Sequence, residues 1–505
     1  MRFALRILAC AAAMSAALAQ GPATRNAAPV AAAKRSGKPF DAKLVDIAAS
    51  AGLASMKSVY GGDKTKKFIL EANGPGAAMV DVDGDGKIDL FVGNGRTLEG
   101  EVEGATSKLF RNLGGGKFED FTAKAGVGRA GWGGGVCAGD VDNDGDSDLY
   151  VAYWGANAFY LNDGKGVFTE SAAKAGIAGG AKEWTSGCTF LDYDRDGKLD
   201  LFTTQYQQFD PATAPPPGKA SNCQWKGMSV FCGPRGLPFG DVTLYRNKGD
   251  GTFEDVSEKA GVRGGQHYYA FTPVAVDLDE DGWLDLYVAC DSTPNLFFLN
   301  NGDGTFSDFA AETGLAFNEH GFEQGGMGIG VGDFNRDGRL DLIKTNFAGD
   351  YPNLYENQGD GIFEDVVLRA GLGVNPRFVG WGVGLVDLDN DGWQDVLQVN
   401  GHVYPRSTRS PASTRSTVSP TSSIATWAAD VSKTLPISPD RDSNRNDPAA
   451  GPRSATSMTT ATSTSSSSTW ARRSTLLRND LANGAKWIRF QLKGPSPIAT
   501  PWARP

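Results

Sequence analysis

The chain has 505 residues, with 59 acidic against 49 basic side chains for a formal net charge of −10, 66 glycines and three histidines. That balance argues against nucleic acid as a partner, and beyond the first residues no stretch is apolar for the length of a membrane-spanning helix. Abundant glycine and aspartate with interspersed aromatics suits an all-β protein with many tight turns, long enough to bury a large core.

At the N-terminus Arg2 and Arg6 precede a small, apolar run that ends in Ala17-Leu18-Ala19 before Gln20. This is the pattern of an export signal with its cleavage site, too short to span a bilayer. Residues 1–19 are therefore expected to be a signal peptide, placing the protein in a secreted, periplasmic or extracellular location. Residues 20–38 are Ala, Pro, Lys and Arg without periodicity, a flexible leader. The folded part is expected from residue 39, where Phe40–Leu53 resembles the last strand segment of the repeats that follow.

The organising stretch starts at Asp81 and returns five times with the same spacing. Loop positions 1, 3, 5 and 9 hold Asp81, Asp83, Asp85 and Asp89 in the first loop, and Asp140, Asp142, Asp144 and Asp148 in the second. The third has Asp192, Asp194, Asp196 and Asp200, and the fourth Asp277, Asp279, Asp281 and Asp285. The fifth has Asp333, Asn335, Asp337 and Asp341, and the sixth Asp387, Asp389, Asp391 and Asp395. A glycine stands at position 6 of every one. Ca²⁺ takes six to eight oxygens at about 2.3–2.6 Å, which alternate side chains of a tight loop can supply. About six bound Ca²⁺ ions are expected, and they would bring the net charge to about +2, so the acidity reads as metal-site chemistry. Extracellular sites of this kind fill where calcium is plentiful. An EF-hand is excluded, because position 12 of the first loop is Val92 and strand residues follow. Without metal the alternative is a set of solvated Asp-rich turns whose carboxylates repel with nothing to offset them.

After each of the first five loops comes a hairpin phrase, from Leu109, Phe159, Leu244, Leu296 and Leu354, with an Asn/Gly/Asp turn between two short strands. One unit is a Gly-rich strand, the acidic loop, an apolar strand and the hairpin, in about 55 residues. Units of four strands at that period stack radially into a β-propeller, here of about seven blades, six of them recognisable from their loops. Glycine at the start of each unit fits the innermost strand. An open solenoid is the alternative architecture and would need capping ends.

The acidic loops combined with these hairpins resemble the FG-GAP or VCBS repeats of integrin α-subunit propellers. Phe231–Phe239 and Val399–Pro405 resemble phrases of the bacterial cartilage-acidic-protein-like family, whose members carry an ASPIC/UnbV module at the C-terminus. The resemblance spans residues 39–405 and implies a secreted seven-bladed propeller with calcium ions holding the loops of one face. It says little about molecular role.

Between the third and fourth loops lies an insertion, residues 207–240. Cys223 and Cys232 within it enclose eight residues and suit a disulfide in an exported protein. Cys137, Cys188 and Cys290, an odd number in strand patterns, read as buried apolar thiols. With Trp225, Met228, Phe231 and Arg235 the insertion is a candidate binding surface, or else a stapled plug over the channel. Trp132, Trp184 and Trp381 recur before acidic loops, either to stack on a sugar at the channel mouth or to pack between inner strands. His267 and His320 precede inner strands and are candidates to face the mouth, without the spacing of a metal site or a catalytic triad.

Beyond Pro405 the composition turns to Ser, Thr, Pro and Arg. Residues 406–475 read as a low-complexity linker or, on our preferred reading, as a seventh repeat recorded out of frame. Read from the third base of GC-rich codons ending in G, Ser454–Thr469 would become a seventh acidic loop and its strand. Residues 476–505, family-like again from Leu476, read as a remnant of the ASPIC/UnbV module. The function expected is an exported calcium-binding propeller that acts as a binding or adhesion module for an extracellular protein or polysaccharide. The alternatives are a polysaccharide hydrolase or lyase using the channel, and a structural partner of another exported enzyme.

Overall fold

The computed structural model describes residues 44–62, 66–265, 267–373, 379–401 and 403–404, together with the strand backbones within 424–439 and 458–479. The expected signal peptide, the leader and residues 480–505 of the expected C-terminal module lie outside the described residues.

Among the described residues the chain forms seven four-stranded sheets and one two-stranded ribbon. The first five blades follow one plan. In the first, Ala77–Val80 pairs with Asp89–Val92, which pairs with Lys108–Gly114 and then Lys117–Asp120, all antiparallel. The second blade begins at Gly133–Gly139, the third at Glu183–Leu191, the fourth at Ala270–Val276, the fifth at Gly326–Gly332 and the sixth at Gly380–Val386. Each acidic loop joins the first strand of its blade to the second. The second strands are buried on both faces, as in Asp148–Tyr153 and Asp285–Cys290, because each blade is sandwiched between its neighbours.

Apolar clusters fill the spaces between sheets. Phe91, Leu109 and Val127 of the first repeat meet Leu149, Val151 and Tyr160 of the second, and Phe202 and Leu244 of the third meet Leu286, Val288 and Phe298 of the fourth. The six first strands, four of them glycine-bearing, surround a central cavity of about 530 Å³. Their glycines answer to close approach: a Cβ on Gly187 would lie 2.5 Å from Pro273, and one on Gly328 would lie 2.0 Å from the Trp381 carbonyl oxygen. This is a propeller whose inner strands pack nearly backbone to backbone.

The two ends of the chain share the seventh sheet. Leu44–Asp46 pairs antiparallel with Arg472–Asn479, which pairs with Met458–Thr464. The N-terminal strand thus lies inside this sheet, with Arg472–Asn479 on one side and Ser438–Pro439, parallel to it, on the other. Ile47 donates its N–H to the Leu476 carbonyl at 2.8 Å, and Ile47, Ala51 and Leu53 pack on Leu90, Phe110 and Phe118 of the first blade. Within 406–475, where composition reads as low complexity, the backbone nonetheless enters sheets: Ile424–Ala428 and Val431–Leu435 complete the sixth blade.

One cysteine assignment is corrected. Cys137 and Cys188 are not free apolar thiols but form a disulfide between the first strands of the second and third blades, with Cα atoms 6.0 Å apart. The odd count misled because pairing depends on which strands the ring makes neighbours. Cys290 is the free cysteine among the described residues, and it is fully buried.

Candidate functional site

The six acidic loops share one backbone scaffold. In all of them the N–H of the position-6 glycine donates to Oδ2 of the position-1 aspartate, at 2.8–3.0 Å. Each position-6 glycine has a left-handed φ, between 82° and 99°, which only glycine adopts without strain. Position 4 is left-handed too, from Gly84 at 69° to Asn390 at 54°, with Asn143, Arg195, Glu280 and Arg336 between. Two left-handed residues in three turn the chain tightly enough to bring positions 1, 3 and 5 onto one side. Oδ1 of position 5 accepts the position-7 N–H, as in Lys87 to Asp85 at 2.8 Å and Arg339 to Asp337 at 2.9 Å.

Position 9 sits at the start of the second strand and is buried in every repeat. Its Oδ2 accepts the position-2 N–H, as in Val141 to Asp148 at 3.0 Å and Leu278 to Asp285 at 3.0 Å. Its Oδ1 accepts the backbone N–H of a hairpin asparagine: Asn112, Asn162, Asn247, Asn300 or Asn357, at 2.7–3.0 Å. That asparagine also reaches the preceding blade. Asn162 donates Nδ2 to the Val82 carbonyl, Asn247 to Val141, Asn300 to Tyr193 and Asn357 to Leu278, at 2.8–2.9 Å. Sequence reading took this residue for a turn former; its recurrence at one place in five hairpins was the available signal.

Three carboxylates converge within 4.8 Å in five loops: Asp81, Asp83 and Asp85; Asp140, Asp142 and Asp144; Asp192, Asp194 and Asp200; Asp277, Asp279 and Asp285; and Asp387, Asp389 and Asp395. The remaining loop carboxylates are not members of these trios. Asp196 is held by Lys198 at 2.8 Å and Arg246 at 3.0 Å. In the fifth loop Asn335 replaces a carboxylate and donates to Asp337 at 3.1 Å and Glu356 at 3.0 Å, so Asp333, Asp337 and Asp341 form no such trio.

The electrostatics leave room for a cation. Burial, opposed by two backbone hydrogen bonds (one, from Leu388, at Asp395) and reinforced by neighbouring aspartates, pushes Asp89 up to about 6, Asp148, Asp341 and Asp395 to about 7, and Asp200 to about 8. Asp285 is driven well above the ordinary carboxylate range for the same reason. Oδ1 of Asp81, Asp83 and Asp277 is buried with no hydrogen-bond partner. A buried acceptor without a donor is costly, and a hard divalent ion bound by oxygens removes that cost while favouring ionised carboxylates. The donor set is all oxygen, and it fits Ca²⁺.

At the opposite ends of the first strands the insertion closes over the axis. Phe231 and Leu237 are buried with Tyr60, Trp132, Trp184, Tyr206, Tyr269 and Tyr404 in one cluster, with Trp225 and Trp381 packed against it. Trp132 meets the Tyr60 ring edge-on at 5.2 Å, Trp184 meets Tyr206 at 5.0 Å, and Trp225 meets Phe347 at 5.1 Å. Trp132 and Trp184 are 2% and 1% exposed and packed among these aromatics, while Trp381 is half-buried and, with Trp184, lines the central cavity. Cys223 and Cys232 are bonded, with Cα atoms 3.8 Å apart. Arg235 stays on the surface and pairs with Glu323 at 2.9 Å. His267 is exposed and stacked on Phe239 at 5.6 Å, and His320 is exposed beside Glu319 at 3.5 Å. Neither histidine lines the central cavity.

FG-GAP-like repeats match residues 81–151, 140–203, 230–288 and 277–343. The chain is an FG-GAP repeat protein. Its relatives include human cartilage acidic protein 1, 26% identical over 289 residues that make up 53% of this chain and 39% of that one. The Xenopus tropicalis protein of the same name is 40% identical over 65 residues, 13% of this chain and 9% of that one. The chain therefore spans about two fifths or less of the length of these curated relatives. Among solved structures, an Agrocybe aegerita lectin described as recognising non-reducing terminal N-acetylglucosamine aligns with 65% of this chain and 76% of its own, at 19% identity and a TM-score of 0.34. Likeness at that level bears on neither ligand nor mechanism. In this FG-GAP repeat protein the matched segments together contain the first five acidic loops and the hairpin asparagines Asn112, Asn162, Asn247 and Asn300, so the repeats carry the candidate metal loops.

Proposed function

We propose that the protein is an exported, calcium-stabilised propeller that acts as a binding or adhesion module for an extracellular protein or polysaccharide. The observation that carries the calcium part is the trio of carboxylates within 4.8 Å, with buried, unpartnered oxygens at Asp81, Asp83 and Asp277. Positions 1, 3, 5 and 9 of each loop are the side chains that would hold the ion. When bound it supplies charge neutralisation and fixes the turn; no chemical step is assigned to it. Two disulfides support an oxidising location.

For the binding part, the support is the face that carries the plug. Its aromatic interior is spent on packing, while Phe239, Phe322 and Tyr351 are 39%, 67% and 38% exposed beside the surface residue Arg235. Exposed aromatics grouped on one rim suit an interaction site. The deciding experiment is a screen of glycans and exported proteins, with calcium and with chelator. Retention of a ligand in calcium, and its loss on Phe322→Ala, supports the reading. Glycan cleavage abolished by His267→Ala or His320→Ala would replace it with the polysaccharide hydrolase or lyase.

A further inference from the structure

The acidic loops touch one another, and they do so through loop position 4. Asn143, in the second loop, donates Nδ2 to the Gly197 carbonyl of the third at 3.0 Å. Arg195, in the third, donates to the Gly282 carbonyl of the fourth and lays its guanidinium over the Trp283 ring, 4.0 Å from the centroid. Arg336, in the fifth, sits over the Trp393 ring of the sixth at 5.2 Å. The glycine that receives each hydrogen bond is the position-6 glycine, whose own N–H holds the position-1 carboxylate of its loop. One peptide segment therefore faces a candidate metal ligand on one side and the neighbouring loop on the other. Position 4 in turn lies between ligand positions 3 and 5 of its own loop. The first loop has Gly84 there, with no side chain to make the contact.

We propose that the loops fill with calcium cooperatively, the second with the third and fourth and the fifth with the sixth, and that Asn143, Arg195 and Arg336 are the positioning residues that couple them. The inference rests on the calcium reading above. An ion in the fourth loop settles Asp277 and the Gly282 peptide, and this fixes the acceptor that Arg195 needs. A fixed Arg195 holds Asp194 and Asp196 on either side of it. Linkage makes the effect equal in both directions, and the path runs through directly contacting groups.

The test uses the full chain stripped of metal, with terbium(III) as the probe and calcium as its competitor. Trp283, at position 7 of the fourth loop, sensitises terbium bound there; Trp393→Phe removes the matching signal from the sixth. Disabling the third loop with Asp192→Asn should raise the terbium concentration that half-fills the fourth by about fivefold, the lower end of ordinary coupling. In Arg195→Gly, which keeps the left-handed backbone and removes the contact, Asp192→Asn should leave that concentration unchanged. Gly84→Asn, copying Asn143 into a position with open space around it, should steepen the calorimetric calcium isotherm by linking the first loop to the second. The coupling is overturned if Asp192→Asn has no effect on the fourth loop while Arg195 is present, or if its effect survives in Arg195→Gly. If neither terbium nor calcium binds any form of the chain, the calcium reading itself falls, and the coupling with it.

Discussion

The hairpin asparagine offers the sharpest check on how the blades are held. Asn247 is 2% exposed. Its Nδ2 donates to the Val141 carbonyl of the preceding blade at 2.8 Å and to the Leu199 carbonyl at 3.0 Å, while its Oδ1 accepts the Gly249 N–H at 2.9 Å. Asn247→Ala removes all three bonds but keeps the backbone N–H that donates to Asp200. The Val141 and Leu199 carbonyls then lose their side-chain donor in a region water does not reach readily, at about 1–3 kcal/mol each. We expect a loss of about 3–5 kcal/mol. A chain of this size shifts by about 1 °C per kcal/mol, so the melting temperature in saturating calcium should fall by about 3–5 °C. Asn301→Ala is the control: Asn301 is exposed and bonds only to Thr305 and Ser307, so its change should stay within about 0.5 kcal/mol. A drop for Asn247→Ala no larger than that of the control would refute the claim that this residue ties one blade to the next.

Metal and pH should interact with opposite signs. In chelator, position-9 carboxyls lie at about 6 to about 8 when folded against about 3.9 unfolded. The folded state then binds more protons over that window, so stability falls as pH rises from about 4 to about 8. In millimolar calcium the order reverses, because protons displace the ion and stability falls as pH falls. Melting curves across that range should diverge with rising pH, and parallel curves would count against the metal sites. Thiol labelling checks the cysteine pairing: under native conditions Cys290 should not react, being buried and with its thiol pushed up chiefly by that burial, and after unfolding without reductant it should be the reactive cysteine of residues 44–404. Additional reactive thiols from Cys137 or Cys188 would remove the inter-blade disulfide. Finally, the double change Cys223→Ser and Cys232→Ser should release about 2–3 kcal/mol of local constraint and expose residues 216–230 to protease; an unchanged digestion pattern would show that the aromatic packing alone holds the plug.

Much of this protein was written in local pattern. The spacing of Asp81, Asp83, Asp85 and Asp89, with glycine at position 6, specifies a turn through φ and hydrogen-bond geometry that depend on a few neighbouring residues, so one loop could be read and the other five recognised as copies. Four short strands per repeat followed from the same periodicity, and with them the propeller. What tertiary structure decided is whatever joins residues of different repeats. Cys137 meets Cys188 only because two first strands lie side by side around the axis. Asn247 reaches Val141, and Arg195 reaches Gly282, only because consecutive loops share one rim. The N-terminal Leu44–Asp46 finds its partner more than 400 residues away, at Arg472–Asn479. Trp132 and Trp184 are buried in one cluster with Phe231 and Leu237 of the insertion, a grouping that spans separate repeats. Spacing along a chain encodes contacts within a turn; contacts between turns exist only once the ring has formed, and it is these that join the separate loops into one face.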